Sequence, residues 1–138
     1  MNYLLDTNII SELISKSPNQ KVLDFIRSLN EENLYLSVIT IGEIKSGIEK
    51  LQNGRKKEAL LHWLENELLV RFYGRIIPID TDVMLKWGTI QNRLKQIGKP
   101  LPIMDSLIGA TAEVHNFVLV TRNEKDFQNL DIEIVNPF

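Results

Sequence analysis

The sequence predicts a three-layer α/β fold in which a central parallel sheet of about five strands carries helices on both faces. Two observations point there. Apolar runs of four or five residues alternate along the chain with longer segments whose apolar residues recur at helical spacing. No repeat, low-complexity stretch or linker separates them, so the 138 residues are expected to form one domain, 1–138, around one core. Strands that alternate with helices imply right-handed crossovers and a sheet covered on both sides. In such sheets ligands bind just past the carboxyl ends of the strands, near the reversal of strand order.

The elements follow in order. "NYLL" (2–5) reads as a strand and "NIISELIS" (8–15) as a helix. "NQKVLDFIRSLN" (19–30) places Val22, Leu23, Phe25, Ile26 and Leu29 at helical spacing, and "LYLSV" (34–38) is the second strand. Residues 40–52 form a helix with Ile41, Ile44, Ile48 and Leu51 on one face, and Gly54 breaks it. A leucine stripe (Leu60, Leu61, Leu64, Leu68, Leu69) makes 55–72 helical. "RIIPI" (75–79) is a short strand whose Pro78 suits an edge or an end. Asp80 caps a helix over 81–98 that Gly98 and Pro100 terminate. Residues 103–115 are helical, "FVLVT" (117–121) is an apolar strand, and a short helix at 124–128 precedes the last strand, "IEIV" (132–135).

Composition excludes several classes. There are no cysteines, hence no disulfide, thiolate zinc site or cysteine nucleophile, which suits a cytoplasmic protein. No secretory signal and no membrane-length apolar run is evident. The net charge of -2 does not advertise nucleic-acid binding, although Arg55, Lys56 and Lys57 cluster, either as a solvated helix start or as a phosphate-binding edge. His62 and His115 lack zinc spacing or triad partners, Trp63 and Trp87 suit the core, and no glycine-rich phosphate loop occurs.

The acids remain. Asp6 directly follows the first strand, Glu43 lies one turn into the helix after the second, Asp105 opens a later helix, and Asp126 follows "FVLVT". In a parallel layout all four map to one rim. Each also has a structural reading: Asp6, Thr7 or Asn8 as a helix cap, Thr40-x-x-Glu43 as a capping box stapled by Ile39 and Ile44, Asp105 as a first-turn acid, Asn123-x-x-Asp126 as a weaker cap. Asp105 stands out because "PLPIMDSLIGATA" has no other charge and it shares a face with Ile108, Gly109 and Ala112. Gly47 and Gly109, each four residues after an acid, leave space or permit close packing. Two carboxylates about 4 Å apart repel by roughly 4 kcal/mol at an effective dielectric of about 20. Several on one rim call for a cation or a raised pKa. All-oxygen ligands select Mg²⁺ or Mn²⁺, ions suited to phosphodiester hydrolysis.

"LLDTN" (4–8), "SVITIGEI" (37–44), "PIMDSLIGATA" (102–112) and "VTRNEKDF" (120–127), in this order, resemble the signature blocks of PIN-domain ribonucleases, above all VapC- and FitB-type toxins of type II toxin–antitoxin pairs. The resemblance implies a five-stranded parallel sheet, an acidic pocket for Mg²⁺ or Mn²⁺, endonucleolytic cleavage of RNA and a homodimer. It implies an antitoxin partner that reaches operator DNA through its own domain, and no membrane role. Asp6, Glu43, Asp105 and Asp126 are then the expected catalytic acids, with Asp6 and Asp105 as metal ligands and Asn8, Thr121 and Asn123 behind them. Some relatives carry the fourth acid where this chain has Asn123, so Asp126 is expected to take its place. With Asp6 turned to the cleft, Thr7 or Asn8 is left to cap the helix. The alternative is a PIN-like binding subunit that acts mainly within an antitoxin–DNA repressor complex.

Overall fold

The computed structural model describes residues Met1–Phe138. Its sheet consists of β1 (Tyr3–Leu5), β2 (Leu34–Ser37), β3 (Ile76–Ile77), β4 (Val118–Val120) and β5 (Ile134–Val135), in the order β3-β2-β1-β4-β5 with every pair parallel. The chain begins in the middle, builds outward through β2 to β3, then crosses to the other side of β1. Strand order therefore reverses between β1 and β4, where the crevice of an open α/β sheet lies. Leu5 pairs with Val120, and the ladder runs one residue further, with the Asp6 N–H donating to the Val120 carbonyl at 2.9 Å. Asp6 and Thr121 are thus the first residues beyond the two central strands.

Successive side chains of a strand point to opposite faces, and the apolar material divides accordingly. Leu5 and Val120 pack with Ile9 and Ile10 of α1 (Thr7–Leu13), Val22 and Ile26 of α2 (Gln20–Arg27), and Ile44 and Ile48 of α3 (Val38–Glu49). Leu4 and Leu119 face the other way, onto α6 (Thr81–Gln96) and α7 (Ile103–His115). The expected single core is in fact two clusters with the sheet between them. No helix is long and apolar enough to cross a membrane.

The leucine stripe forms α4 (Arg55–Trp63), a π-helical segment (Leu64–Leu68) and α5 (Leu69–Arg71) without interruption. Four residues of ordinary α-helix advance roughly 40° beyond a full turn. The wider π turn opposes that drift, and Leu64, Leu68 and Phe72 all stay buried. Of the basic cluster, Lys57 donates to the Glu49 carbonyl and to Asn53, tying the start of α4 to the end of α3.

Two expected caps are corrected. Thr40 caps nothing: α3 begins earlier, at Val38, and Ser37 accepts from the Ile39 N–H at 3.0 Å, leaving Thr40 buried in the first turn. Nor does Thr7 or Asn8 cap α1, because Asp6 does. Asp80 caps α6 as expected, accepting from the Val83 N–H. The far end of α6 closes on Gly98, whose φ of +68° allows the Gly98 N–H to reach Lys95 O and the Lys99 N–H to reach Leu94 O. Gly98→Ala forces an L-residue into this left-handed conformation and should destabilise the protein by about 1–2 kcal/mol. An unchanged melting temperature by circular dichroism would count against this closure.

Candidate active site

Three of the expected carboxylates reach one cleft from three separate segments, and Glu12 of α1 lines it as well. Asp6 stands at the end of β1, Glu43 in the second turn of α3 and Asp105 in the first turn of α7. The cleft measures about 470 Å³ and has no hydrophobic lining residue. It opens beyond the carboxyl ends of β1 and β4, at the strand-order reversal.

Asp6 is buried, 4% exposed, and both of its oxygens are engaged. Oδ1 accepts from the Thr7 N–H at 2.8 Å and so caps α1. Oδ2 accepts from the Thr121 hydroxyl at 2.8 Å and from Asn8 Nδ2 at 3.2 Å. Asn8 also donates to Thr121 Oγ1, and its Oδ1 accepts from the Arg122 N–H at 3.1 Å. A side chain at the head of α1 thereby fastens the loop after β4 to the end of β1. Burial pushes the Asp6 pKa up, and the Glu43 charge adds to that. The Thr121, Thr7 and Asn8 donors pull it back, the first most strongly.

Glu43 is exposed and takes its position from Thr7, whose hydroxyl donates to Oε1 at 2.6 Å and lies 3.1 Å from the hydroxyl of buried Thr40. Asp105 is half-buried, below the exposed Met104 and above Ile108, Gly109 and Ala112, which are buried. Its turn is locked by Ser106, which accepts from Trp87 Nε1 at 2.8 Å and donates to the Ile103 carbonyl at 2.7 Å. The Asp105 pKa is pushed up to about 6, first by burial and then by the charges of Asp6, Glu43 and Asp126.

The remaining expected residues divide. Asn123 lines the cleft, and its N–H donates to Thr121 Oγ1 at 3.0 Å. It starts α8 (Glu124–Phe127) without a side-chain cap bond. Asp126 is exposed on α8 and outside the cleft lining, although its charge reaches Asp105. Neither histidine takes part: His62 pairs with Asn66, and His115 stacks on Phe117. Thr7 as the partner of Glu43, and Arg122, Ser11 and Glu12 as lining residues, were not anticipated. Arg122 carries a signal like the one that exposed Asp6, a charge within two residues of the end of an apolar central strand.

The donors around the cleft are all oxygens, the set that hard divalent ions take. No three acidic or histidine side chains enclose an ion by themselves. An ion such as Mg²⁺ keeps several waters and needs only one or two protein carboxylates.

The fold and cleft now have a class. The PIN domain matches residues 3–133, and the chain belongs to the PIN-domain family. Within it the chain resembles bacterial toxins. It is 39% identical over 135 residues to Toxin FitB of Neisseria gonorrhoeae, spanning 98% of this chain and 97% of that one. It is 35% identical over 135 residues to VapC ribonuclease Y4jK of Sinorhizobium fredii, spanning 98% and 96%. A chain in the structure of FitAB bound to an IR36 DNA fragment superposes with a TM-score of 0.93 at 38% identity, covering 98% of this chain and 94% of its own.

Proposed function

We propose that the protein is the toxin of a type II toxin–antitoxin pair and a Mg²⁺- or Mn²⁺-dependent endoribonuclease. The observation that carries this is the convergence of Asp6, Glu43 and Asp105 in one wholly polar cleft, with Asp105 pushed up to about 6 by burial and by its acidic neighbours. Such a surplus of negative charge is relieved by a cation. Asp6 and Asp105 would hold the ion, directly or through water. When bound, it would polarise the phosphodiester and make water acidic enough to attack at neutral pH. Glu43, oriented by Thr7, would direct that water or take its proton. Thr121 and Asn8 keep Asp6 fixed, Asn123 lines the same cleft, and Asp126 adds its charge from outside the lining.

The partners in this reading are RNA as substrate, a second copy of the chain, and a cognate antitoxin through which operator DNA is bound. Val38, Ile103 and Met104 are exposed apolar residues beside the cleft, a surface suited to the second copy. A groove lined by Ile10, Ile14, Ile44, Leu51 and Leu60 opens next to Thr7 and Glu43 and suits an apolar antitoxin segment. The FitAB–DNA resemblance also supports a repressor-complex role, which can coexist with catalysis. Purified protein incubated with defined RNAs should cleave them internally with Mg²⁺ or Mn²⁺ and leave them intact in EDTA. Cleavage that survives EDTA would overturn the metal assignment, and no cleavage under any condition would leave the binding subunit as the better account.

A further inference from the structure

We infer that Arg122 is the substrate-binding cation of this cleft, contacting an RNA phosphate, and that Phe138 holds it in readiness. This rests on the ribonuclease reading above. Arg122 is the only cationic side chain lining a cleft that also presents Asp6, Glu12, Glu43 and Asp105. An arginine in such company would be expected to collapse onto a carboxylate. It does not: the ion pairs of the structure join Lys45 to Glu49, Arg71 and Arg75 to Glu31, and Arg93 to Glu113. The Arg122 guanidinium instead lies over the Phe138 ring, 4.7 Å from its centroid.

The backbone on both sides of this contact is pinned. The Arg122 N–H donates to Asn8 Oδ1 at 3.1 Å, and the Arg122 carbonyl accepts from Asn136 Nδ2 at 3.4 Å. Asn136 Oδ1 in turn accepts from the Phe138 N–H at 3.0 Å, so one side chain sets both partners of the stack. Stacking on an aromatic face satisfies a guanidinium without using its N–H donors, which stay free for a bidentate anion. A phosphate drawn to the acidic side only through a cation thus meets a fixed, unpaired donor in the same cleft. This divides the work: the carboxylates organise the chemistry, and Arg122 supplies affinity for the polyanion.

The test is steady-state cleavage of a defined oligoribonucleotide, together with fluorescence-anisotropy binding of the same RNA to Asp105→Asn protein in EDTA. Arg122→Gln should raise KM about 10- to 100-fold with kcat within about threefold, and weaken metal-free binding by a similar factor. The slope of log affinity against log salt should fall by about 0.7, one phosphate contact on a single strand. Phe138→Leu, which keeps an apolar side chain but loses the ring, should raise KM about two- to fivefold, and Phe138→Trp should restore it. Unchanged KM and salt slope in Arg122→Gln, with wild-type protein cleaving normally, would overturn this inference alone. Wild-type protein that neither binds nor cleaves RNA would overturn the reading beneath it.

Discussion

Asp6→Asn should lower RNA cleavage about a thousandfold, the scale expected when a charged group of the reacting centre is neutralised. The fold should survive, for reasons visible at each oxygen. The amide oxygen can still accept from the Thr7 N–H and cap α1. The amide nitrogen would replace Oδ2, and the Thr121 hydroxyl, which already accepts from Asn8 Nδ2 and the Asn123 N–H, would lose its acceptor there. The Asn8 amide loses the same acceptor but keeps Thr121 Oγ1. Removing a charge from a site that is 4% exposed offsets that loss. A gel assay of cleavage and a melting curve on the same preparation decide the matter. Wild-type rates in a folded variant would remove Asp6 from the site.

Asp105→Asn should abolish cleavage to a similar degree while making the metal-free protein more stable at neutral pH. The Asp105 carboxyl titrates near 3.8 when unfolded and at about 6 in the folded chain. The native state therefore holds this proton more tightly. Its contribution to stability is fully present below the unfolded value and is lost as pH rises through about 6. Near pH 7.5 the wild-type chain carries a repulsion that the amide lacks. After discounting for partial exposure, the variant should gain about 1 kcal/mol there and nothing near pH 4. Mg²⁺ should reverse the ranking, because an ion that binds only the folded wild type stabilises it by mass action. Denaturant melts at the two pH values, with and without Mg²⁺, give the answer. A variant less stable than wild type at every pH would show that Asp105 is structural.

The fold was largely legible because its signals are local. The apolar runs at β1, β2 and β4 and the boundary signals at Gly54, Asp80 and Gly98 each act over a few residues, and the elements formed where those signals lie. The β3 and β5 edges shrank to two residues each, since an edge strand has a partner on one side only. What a single sequence conceals is which local option wins when two residues compete. Ser37 and Thr40 both suit a cap, and burial of Thr40 beneath Thr7 settled it. Gly109 could have left room beside Asp105. Instead, a Cβ there would collide with the Leu130 side chain, so close packing is its role, whereas Gly47 does stand in open space. Asp6, Glu43 and Asp105 were readable as one group because each follows a strand or opens a helix. The Thr7–Glu43 bond and the Arg122–Phe138 stack were not, because each pairs residues that no periodicity connects.

The bond from Thr121 to Asp6 spans 115 positions of the chain. One consequence concerns translation. While a ribosome is still making the stretch between them, the nascent polypeptide already displays Asp6 but holds it only through its neighbours Thr7 and Asn8. Asn8 likewise waits for its loop, and the crevice has only one of its two central walls. The pocket therefore forms only once the chain through Asn123 is present.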